Sequence, residues 1–578
     1  MKNFLSSSKK KAMVAAVAAG ICFCNLTQVN AADFPSFFDW SLNNPTDRNS
    51  GTDSMSIVSP VENQTPYGNC WAYGTFSSYE SSWMKQLKAA QAAGYNVTPA
   101  RNIFSKLYLS WLPVLPAADN SNDSSVYSTM ADVDPYSNQQ GNRHPVYDSG
   151  GNPVTSVSTL LRYGAIDANS VTLAKTDEER ANAANLMNTK ENWKRFREMA
   201  RSYLAVQYAN ATLSTREDLS ETEAMKMFND YKNSLTDEQL TAPAQDFFNI
   251  LIEDAVMETV TPKGILHDTY ILQDSARNSS GLTDEDVADA KELIQTEGVA
   301  FVGHKGIDSD SVSEALAYFF DGEVNPFYPR MSHAESLVGW DDNYIFKNYT
   351  NADGSPIQGA FLMRNNWETT LSSGRSLAKD GYGYLAYQDT SISGISFFNA
   401  GLDAKRYTIN SNNAHLNDAV DYFSTSAISG AVSQSIANTF KAETDGGQFL
   451  KAVMFYASEK NMPYEIIVRE GETPGEGTIL TQQSGTFGED GTPKWGGYRT
   501  VDLDNFVFLA KDKKYTVEVK TTSPTGQTVY VALMAGQDLT NSPRLKPADS
   551  AIINHIVYSL TKELKKSKKY FAPFHPHS

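Results

Sequence analysis

The fold and the chemistry of this chain are decided by one stretch, PVENQTPYGNCWAYGTF, which spans residues 60–76. Turn-forming residues end just before Cys70, and the following pattern predicts a helix from Cys70 to about Leu87. Cys70 then lies in the first helical turn, where unpaired backbone N–H groups and the positive end of the helix dipole favour thiolate over thiol. This position predicts a nucleophilic cysteine.

The same stretch supplies groups that could stabilise negative charge on a substrate. The first-turn N–H groups can donate hydrogen bonds to a developing oxyanion, and Gln64 offers a side-chain amide donor six residues upstream. One short segment therefore contains a nucleophile, its activation and an oxyanion donor.

These residues resemble the papain family of cysteine peptidases. Gln64, Gly68, Cys70 and Trp71 match that family's nucleophile motif in register. The resemblance implies an α+β fold with a two-lobed catalytic domain, in which a helical lobe and a β-barrel lobe flank the cleft. It also implies that Cys70 attacks the peptide carbonyl while Gln64 helps to hold the oxyanion.

A thiolate of this kind needs a histidine that pairs with it as imidazolium. Among the eight histidines, His333 opens the segment HAESLVGW, which resembles the family's His-Ala-x-x-x-Val-Gly strand. The segment RNNW resembles the family's Lys-Asn-Ser-Trp, with Asn365 at the functional position and Asn366 in place of the serine. The resemblance implies that Asn365 accepts a hydrogen bond from His333 and fixes its tautomer, while Trp367 shields that bond from water.

Further matches concern substrate binding. The run Gly150-Gly151-Asn152-Pro153 resembles the family's Gly-Gly-x-Pro, whose backbone pairs with an extended peptide, although a plain turn is an equal alternative. Met331 and Pro153 would line the pocket for the second residue before the cut, which favours an apolar side chain there. Trp367 completes the predicted substrate-binding residues.

The N-terminus has the pattern of a secretory signal peptide over residues 1–31. Lysines precede an apolar run that is too short to span a bilayer, and small residues precede Ala32. Export would remove Cys22 and Cys24, so that Cys70 would be the single cysteine and no internal disulfide could form. We therefore expect a secreted, extracellular, periplasmic or cell-surface protein without a transmembrane anchor.

The charge excludes nucleic acid as an expected partner. The full chain has a formal net charge of −18, and loss of the four signal lysines would make it about −22. The lysine-rich end, residues 541–578, is predicted to be a solvated basic tail, with contact to an anionic cell surface as the alternative. The sequence shows neither metal-ligand spacing nor a P-loop or dinucleotide glycine pattern, so no cofactor is expected.

Between these ends, the pattern divides the chain into two folded parts. A papain-like peptidase domain is predicted for residues 33–403, with a charged helical insertion at 175–260. In that insertion Pro243 is predicted to open a helix. The insertion separates His333 from Cys70 by far more than the roughly 130–150 residues usual in the family. A surface hairpin of helices is one interpretation of it, and a lid that replaces a missing pro-segment is the other.

Residues 404–540 alternate like the strands of an all-β sandwich. By position and strand pattern they resemble the lectin-like domain that follows the catalytic domain in some bacterial secreted members of the family. Trp495 and Tyr498 are candidates for stacking on a sugar ring, or else for packing in the core. A carbohydrate or cell-surface ligand is the corresponding candidate partner.

The sequence thus predicts a secreted cysteine endopeptidase that hydrolyses peptide bonds of protein or peptide substrates through a thiol acyl-enzyme. An exopeptidase and a transpeptidase would use the same site and stay open as alternatives. A catalytically silent adhesion or binding protein is the alternative from outside the enzymes.

Overall fold

A computed structural model describes residues 34–41, 56–64, 68–97, 99, 102–111, 153, 156–157, 160, 164–168, 181, 188, 190–208, 212, 221–254, 264–272, 282–305, 317–318, 333–367, 381–401, 408–409, 423–427, 432–442, 447–527, 529–534 and 556–561. The chain forms two compact units. The first comprises residues 1–116, 130–218 and 230–402, and the second comprises 117–129, 219–229 and 403–578.

The helices are numbered in chain order. They are α1 (Cys70–Ala92), α2 (Lys106–Trp111), α3 (Lys190–Tyr208), α4 (Glu221–Ser234), α5 (Asp237–Asp254) and α6 (Asp284–Glu297).

The strands are numbered in the same way. They are β1 (Phe37–Asp39), β2 (Ile265–Ile271), β3 (Ala300–His304), β4 (Ala317–Tyr318), β5 (His333–Thr350), β6 (Pro356–Arg364), β7 (Tyr382–Ala386), β8 (Ser393–Gly401), β9 (Thr408–Ile409), β10 (Phe423–Ala427), β11 (Ser433–Lys441), β12 (Gln448–Ala457), β13 (Pro463–Glu470), β14 (Ile479–Thr486), β15 (Gly497–Leu509), β16 (Lys514–Thr522), β17 (Tyr530–Met534) and β18 (Ile556–Thr561).

The first unit is built on a twisted sheet with the order β4-β7-β6-β5-β3-β8-β2, to which β1 adds by pairing with β5. The pairs are antiparallel except β4 with β7. The mixed helix-and-strand architecture with large antiparallel sheets agrees with the predicted α+β class. The two-lobed arrangement stays a prediction.

Helix α1 begins at Cys70, as predicted, and extends to Ala92. Its side toward the sheet is polar, because hydroxyl groups there accept hydrogen bonds from backbone N–H groups in or beside the strands. These pairs are Ser78 Oγ with Phe398 N (2.9 Å), Ser81 Oγ with Val299 N (3.1 Å) and Ser82 Oγ with Ala400 N (3.1 Å). Buried N–H groups that no neighbouring strand satisfies are thus paired by the helix.

Gly74 sets how closely α1 approaches the sheet. A Cβ atom at this position would lie 2.8 Å from a ring carbon of Phe301 and 2.9 Å from the carbonyl oxygen of Glu335. Real Cβ atoms do not tolerate such distances. The absence of a side chain therefore lets the helix that begins with Cys70 lie directly on β3 and β5.

The Gly339-Trp340 pair in β5 anchors the N-terminal strand. A Cβ atom at Gly339 would overlap the carbonyl of Phe38, so glycine permits β1 to approach. Trp340 is buried, donates its indole N–H to the carbonyl oxygen of Pro35 over 2.8 Å and stacks on Phe38 at 4.7 Å between ring centroids. This contact fixes β1 against β5.

Helices α3 to α5 lie within the stretch that was predicted to be helical. Trp193 of α3 stacks on Phe248 of α5 with 4.8 Å between ring centroids. Arg201 donates from Nη1 to the carbonyl oxygen of Leu235, at the end of α4, over 2.7 Å. Aromatic packing and a cationic cap therefore hold the helices of this stretch together.

The prediction that Pro243 opens a helix is wrong. Helix α5 begins at Asp237 and contains Pro243 in its interior. The start is fixed by a reciprocal cap: Gln239 Oε1 accepts from Thr236 N over 2.9 Å, and Thr236 Oγ1 accepts from Gln239 N over 3.4 Å. These two bonds, together with packing of the helix, outweigh the N–H group that proline lacks.

The second unit contains the strand groups β15-β12-β18-β9, β11-β16-β13-β14 and β10-β17. Its core includes Phe440, Val453, Phe455 and Val517, all fully buried. Strand β18 lies in the stretch predicted to be a basic tail, and its backbone pairs with β12, so the strands continue beyond residue 540.

The two aromatic residues proposed for sugar stacking lie in the core of this unit. Trp495 is 3% exposed and Tyr498 is 2% exposed. The stacking interpretation is therefore wrong for these residues, and the packing interpretation is confirmed. Among the described residues, no helix is long and apolar enough to cross a membrane.

We expect Gly74→Ala to destabilise the first unit. Alanine has the higher helix propensity, by about 1 kcal/mol, so propensity alone would raise the free energy of unfolding. The overlap with Phe301 and the Glu335 carbonyl should outweigh that gain and produce a net loss of about 1–3 kcal/mol. Urea unfolding measures the difference, and a higher midpoint for the variant would contradict the packing argument.

Candidate active site

Cys70 is the first residue of α1 and is partly exposed. The preceding Asn69 makes no side-chain cap, and its amide nitrogen donates to Ser110 Oγ over 3.2 Å. The first turn also contains no acidic residue. The positive end of the helix is therefore not neutralised by its own sequence, and it faces the thiol.

His333 is the first residue of β5, and the structure brings it to Cys70. Burial by itself would lower the pKa of His333, but hydrogen bonds to Cys70 and Glu335 and the charges of these two residues raise it to about 10. Positive charge on the imidazole is therefore favoured by its polar neighbours, above all by the Glu335 carboxylate.

This carboxylate was not predicted from the sequence. Glu335 Oε1 lies 3.1 Å from His333 Nε2, and Glu335 Oε2 lies 3.4 Å from His304 Nε2. Glu335 and His304 are both 0% exposed. Burial would raise the pKa of Glu335, but its interactions with His304 and His333 lower it to about 2.

Asn365, Asn366 and Trp367 form the loop after β6 that faces the imidazole. The indole of Trp367 stacks on the His333 ring with 4.3 Å between centroids and 19° between planes. The backbone N–H of Trp367 donates to Asn365 Oδ1 over 3.0 Å. Trp367 thus covers the imidazole, and Asn365 fixes the backbone of the residue that does so.

The predicted hydrogen bond from His333 to Asn365 is not made among the described residues. Asn365 Oδ1 accepts from Trp367 N, and His333 Nε2 faces Glu335 in place of the amide. The structure therefore differs from the prediction in which group contacts the base. The assignment of Asn365 as a site residue stays a prediction.

Asn366 links the two halves of the site. Its Nδ2 atom donates to the carbonyl oxygen of Ala334 over 2.8 Å and lies 3.5 Å from the carbonyl oxygen of Cys70. A serine at this position is too short to span both carbonyls. The substitution noted in the sequence thus adds a bridge between the residue beside His333 and the start of α1.

Gln64 lies beside this loop. Its backbone N–H donates to the carbonyl oxygen of Asn366 over 2.8 Å, and the adjacent Asn63 forms an isolated β-bridge with Trp367. The Gln64 side chain is 5% exposed. The segment that carries the predicted oxyanion donor is therefore fixed to the loop that covers the base.

A buried ion network holds the same segment against α1. Lys106 Nζ lies 2.7 Å from Glu62 Oε2 and 2.8 Å from Glu80 Oε1. Burial would lower the pKa of Lys106, but the charges of Glu62 and Glu80 and hydrogen bonds to both raise it. Both carboxylates thus have a cationic partner, which buried charges require.

The predicted substrate-binding residues are only partly placed. Pro153 is buried, and its ring lies 3.4 Å from the position that a Cβ of Gly394 would occupy. Gly150, Gly151 and Met331 lie outside the described residues. Within the described part of the chain, no group of three or more His, Cys, Asp or Glu side chains is suited to hold a metal ion.

The pair His333–Glu335 makes stability depend on pH. His333 has a pKa of about 10 in the folded chain and 6.5 as its ordinary value, so its contribution is complete below 6.5 and is lost as pH rises toward 10. Glu335 has a pKa of about 2 in the folded chain and 4.5 as its ordinary value. Its contribution to stability is therefore complete above pH 4.5 and is lost as the pH falls toward 2. Both contributions are complete between pH 4.5 and 6.5.

We expect His333→Ala to lower the free energy of unfolding most at pH 6.5 and progressively less toward pH 10. Urea unfolding at several pH values measures this difference. His267→Ala is the matched control, because His267 also faces a carboxylate, Asp268, but is 44% exposed. Its effect should be small at every pH, and an equally small, flat effect of His333→Ala would contradict the assigned charges.

Comparisons with known proteins bear on the two units. A family model described as a lectin-like domain matches residues 417–555, in agreement with the lectin-like domain predicted for the C-terminal region. Among curated proteins, none matches this sequence.

Solved structures with similar chains include two of the clostridial cysteine protease Cwp84. One, determined after propeptide cleavage, has 14% identity and a TM-score of 0.48, covering 88% of this chain and 97% of that one. The other shows the cysteine protease and lectin-like domains of Cwp84, a surface-layer associated protein of Clostridium difficile. It has 14% identity and a TM-score of 0.48, covering 88% of this chain and 87% of that one. The proform of the ragweed cysteine protease Amb a 11 has 12% identity and a TM-score of 0.27, and the match covers 67% of this chain and 74% of that one.

Proposed function

We propose that the chain is an exported cysteine endopeptidase with a papain-like, two-lobed catalytic domain. The observation that carries this proposal is the pairing of Cys70, at the start of α1, with His333, whose pKa is raised to about 10 by Cys70 and Glu335. A thiol at a helix N-terminus beside an imidazolium is the arrangement from which cysteine nucleophiles react.

In the proposed acylation step, the Cys70 sulfur attacks the carbonyl carbon of the scissile peptide bond. An S–C bond forms while the carbonyl π electrons move onto oxygen, where Gln64 and the Cys70 backbone N–H stabilise the negative charge. When the C–N bond breaks, the leaving nitrogen takes a proton from His333. The products are a thioester and a free amine.

Hydrolysis of the thioester completes the cycle. Neutral His333 removes a proton from water as the water oxygen attacks the thioester carbonyl, and the S–C bond then breaks. This step returns the thiolate and the imidazolium and releases a carboxylic acid. No metal ion or organic cofactor is required by these steps.

Asn365 acts in this scheme by positioning the loop that carries Trp367. The hydrogen bond from Trp367 N to Asn365 Oδ1 supports this role, since the indole stacks on the His333 ring. Stacking excludes water from one face of the imidazole and restricts its rotation. Gly150, Gly151, Pro153, Met331 and Trp367 remain the proposed substrate-binding residues.

The lectin-like region is proposed to direct this activity to a surface. The family-model match at residues 417–555 supports a carbohydrate or cell-surface ligand for it. The negative charge of the chain is consistent with protein or peptide substrates rather than nucleic acid. Export by way of the N-terminal signal sequence would bring both parts to the extracellular side.

We expect an epoxysuccinyl peptide inhibitor to label Cys70 stoichiometrically at mildly acidic pH, where an ordinary thiol does not react. Intact-mass measurement of the full chain detects the adduct. Cys70→Ser should abolish it, and His333→Ala should reduce the rate of labelling by at least about 100-fold, in keeping with loss of a positioned acid–base group. If the wild-type protein formed no adduct, the peptidase proposal would be wrong and a binding role would replace it.

A cleavage map of an unstructured protein then separates the alternatives. Internal cuts that disappear in Cys70→Ser are expected for an endopeptidase. Trimming from one terminus alone would indicate an exopeptidase, and products joined to an added amine would indicate a transpeptidase.

We expect Gln64→Ala to lower kcat by about 100- to 1000-fold, the usual cost of removing one oxyanion donor. Asn63→Ala is the matched control, because Asn63 carries the same amide next to Gln64 but is exposed. Its kcat should stay close to that of the wild type. Equal kcat values for the two variants, at equal stability, would remove Gln64 from the oxyanion site.

A further inference from the structure

Strand geometry brings three titratable side chains to one face of the sheet. Side chains two residues apart on a strand point to the same face, so Glu335 lies on the same side of β5 as His333. In the antiparallel pair of β3 and β5, His304 is directly opposite His333. The register alone therefore assembles a His304–Glu335–His333 cluster next to Cys70.

Burial makes the carboxylate of this cluster dependent on its two neighbours. Glu335 and His304 are 0% exposed, and His333 is 5% exposed. A carboxylate so far from water is destabilised unless charged or hydrogen-bonding groups face it. His333 Nε2 faces Oε1 over 3.1 Å, and His304 Nε2 faces Oε2 over 3.4 Å, so each oxygen has an imidazole beside it.

A structural ion pair alone would not explain the location of Glu335. The imidazole that it contacts is also hydrogen-bonded to Cys70 and is covered by Trp367. The amide that was predicted to orient the ring, Asn365, uses its oxygen to accept from Trp367 instead. The carboxylate is thus the group that lies 3.1 Å from Nε2 of His333.

We propose that Glu335 is the residue that directly orients the catalytic histidine, and that His304 holds Glu335 in place by facing its second carboxylate oxygen. The inference deepens the proposed peptidase function and rests on it. Nε2–H donates to the Glu335 carboxylate, which leaves Nδ1 as the atom for Cys70. The site is accordingly a Cys–His–Glu triad with a supporting histidine, in which Glu335 and His304 are positioning residues.

This arrangement changes the chemistry expected of the base. A carboxylate stabilises the imidazolium through charge, whereas a neutral amide does so only through a hydrogen bond. Among the residues that the structure describes, the titratable groups facing His333 are Cys70 on α1 and Glu335 on β5, and those facing Glu335 are His304 on β3 and His333. Removal of the Glu335 charge should therefore bring the loss of the His333 proton to lower pH.

The test is the pH dependence of inactivation by the epoxysuccinyl peptide inhibitor, since this reaction needs both thiolate and imidazolium. Glu335→Gln keeps the size of the side chain and removes its charge. We expect the alkaline limb of the bell-shaped profile to move to lower pH by about one to three units. An alkaline limb that coincides with that of the wild type would overturn the proposal.

Glu80→Gln is the matched control, because Glu80 is also a buried carboxylate in a hydrogen-bonded ion pair, but with Lys106 away from the imidazole. It should lower stability without moving the alkaline limb. A shift in Glu80→Gln equal to that in Glu335→Gln would assign the effect to general loosening and would also overturn the proposal.

A second measurement does not depend on the fold of the Glu335 variant. In Cys70→Ser the thiol is absent, and Glu335 is the carboxylate that the described part of the chain places against the imidazole, so ¹⁵N NMR of the full chain should show His333 protonated well above its ordinary pKa of 6.5. An ordinary value in this variant would exclude Glu335 as its partner. Because this titration needs no activity, it separates failure of the triad from failure of the peptidase proposal, which would appear as absent labelling of the wild type.

Discussion

The close contact between α1 and β5 is the constraint on which the rest of the first unit depends. Gly74 permits it, since any side chain there would meet Phe301 and the backbone of Glu335. The contact brings the start of a helix and the start of a strand to one point, so that Cys70 and His333, far apart in sequence, become neighbours. Hydrogen bonds from Asn366 to the carbonyl oxygens of Cys70 and of Ala334, the residue after His333, then bridge the two elements.

Buried charge is concentrated around this contact, and it is compensated locally. Lys106 lies between Glu62 and Glu80, and Glu335 lies between two histidines. Such groups contribute little net stability compared with apolar packing, but removal of one partner leaves the other unpaired and is strongly destabilising. The free-energy cost of burying these charges is tolerable here because the charges hold the nucleophile, the base and the Gln64 segment in one geometry.

Part of this site follows from the sequence because it depends on local pattern. A turn before a helix places Cys70, and the resemblance of HAESLVGW and RNNW to family segments singles out His333 and Asn365. Glu335 lies in the first of these segments, and its spacing of two from His333 on a strand is the signal for a shared face. His304 could not be found in this way, since its position opposite His333 comes from the pairing of two strands distant in sequence. The start of α5 shows the same limit: the reciprocal cap of Thr236 and Gln239 outweighed the more conspicuous proline.

The serine-lined side of α1 has a thermal consequence. Apolar area exposed on unfolding raises the heat capacity, whereas polar area lowers it. The part of the helix–sheet contact that consists of serine hydroxyls and backbone amides therefore adds less to the heat-capacity change than the same area lined by leucine would. This part of the molecule should flatten the curve of stability against temperature, so that the geometry around Cys70 is maintained in the cold as well as in the warm.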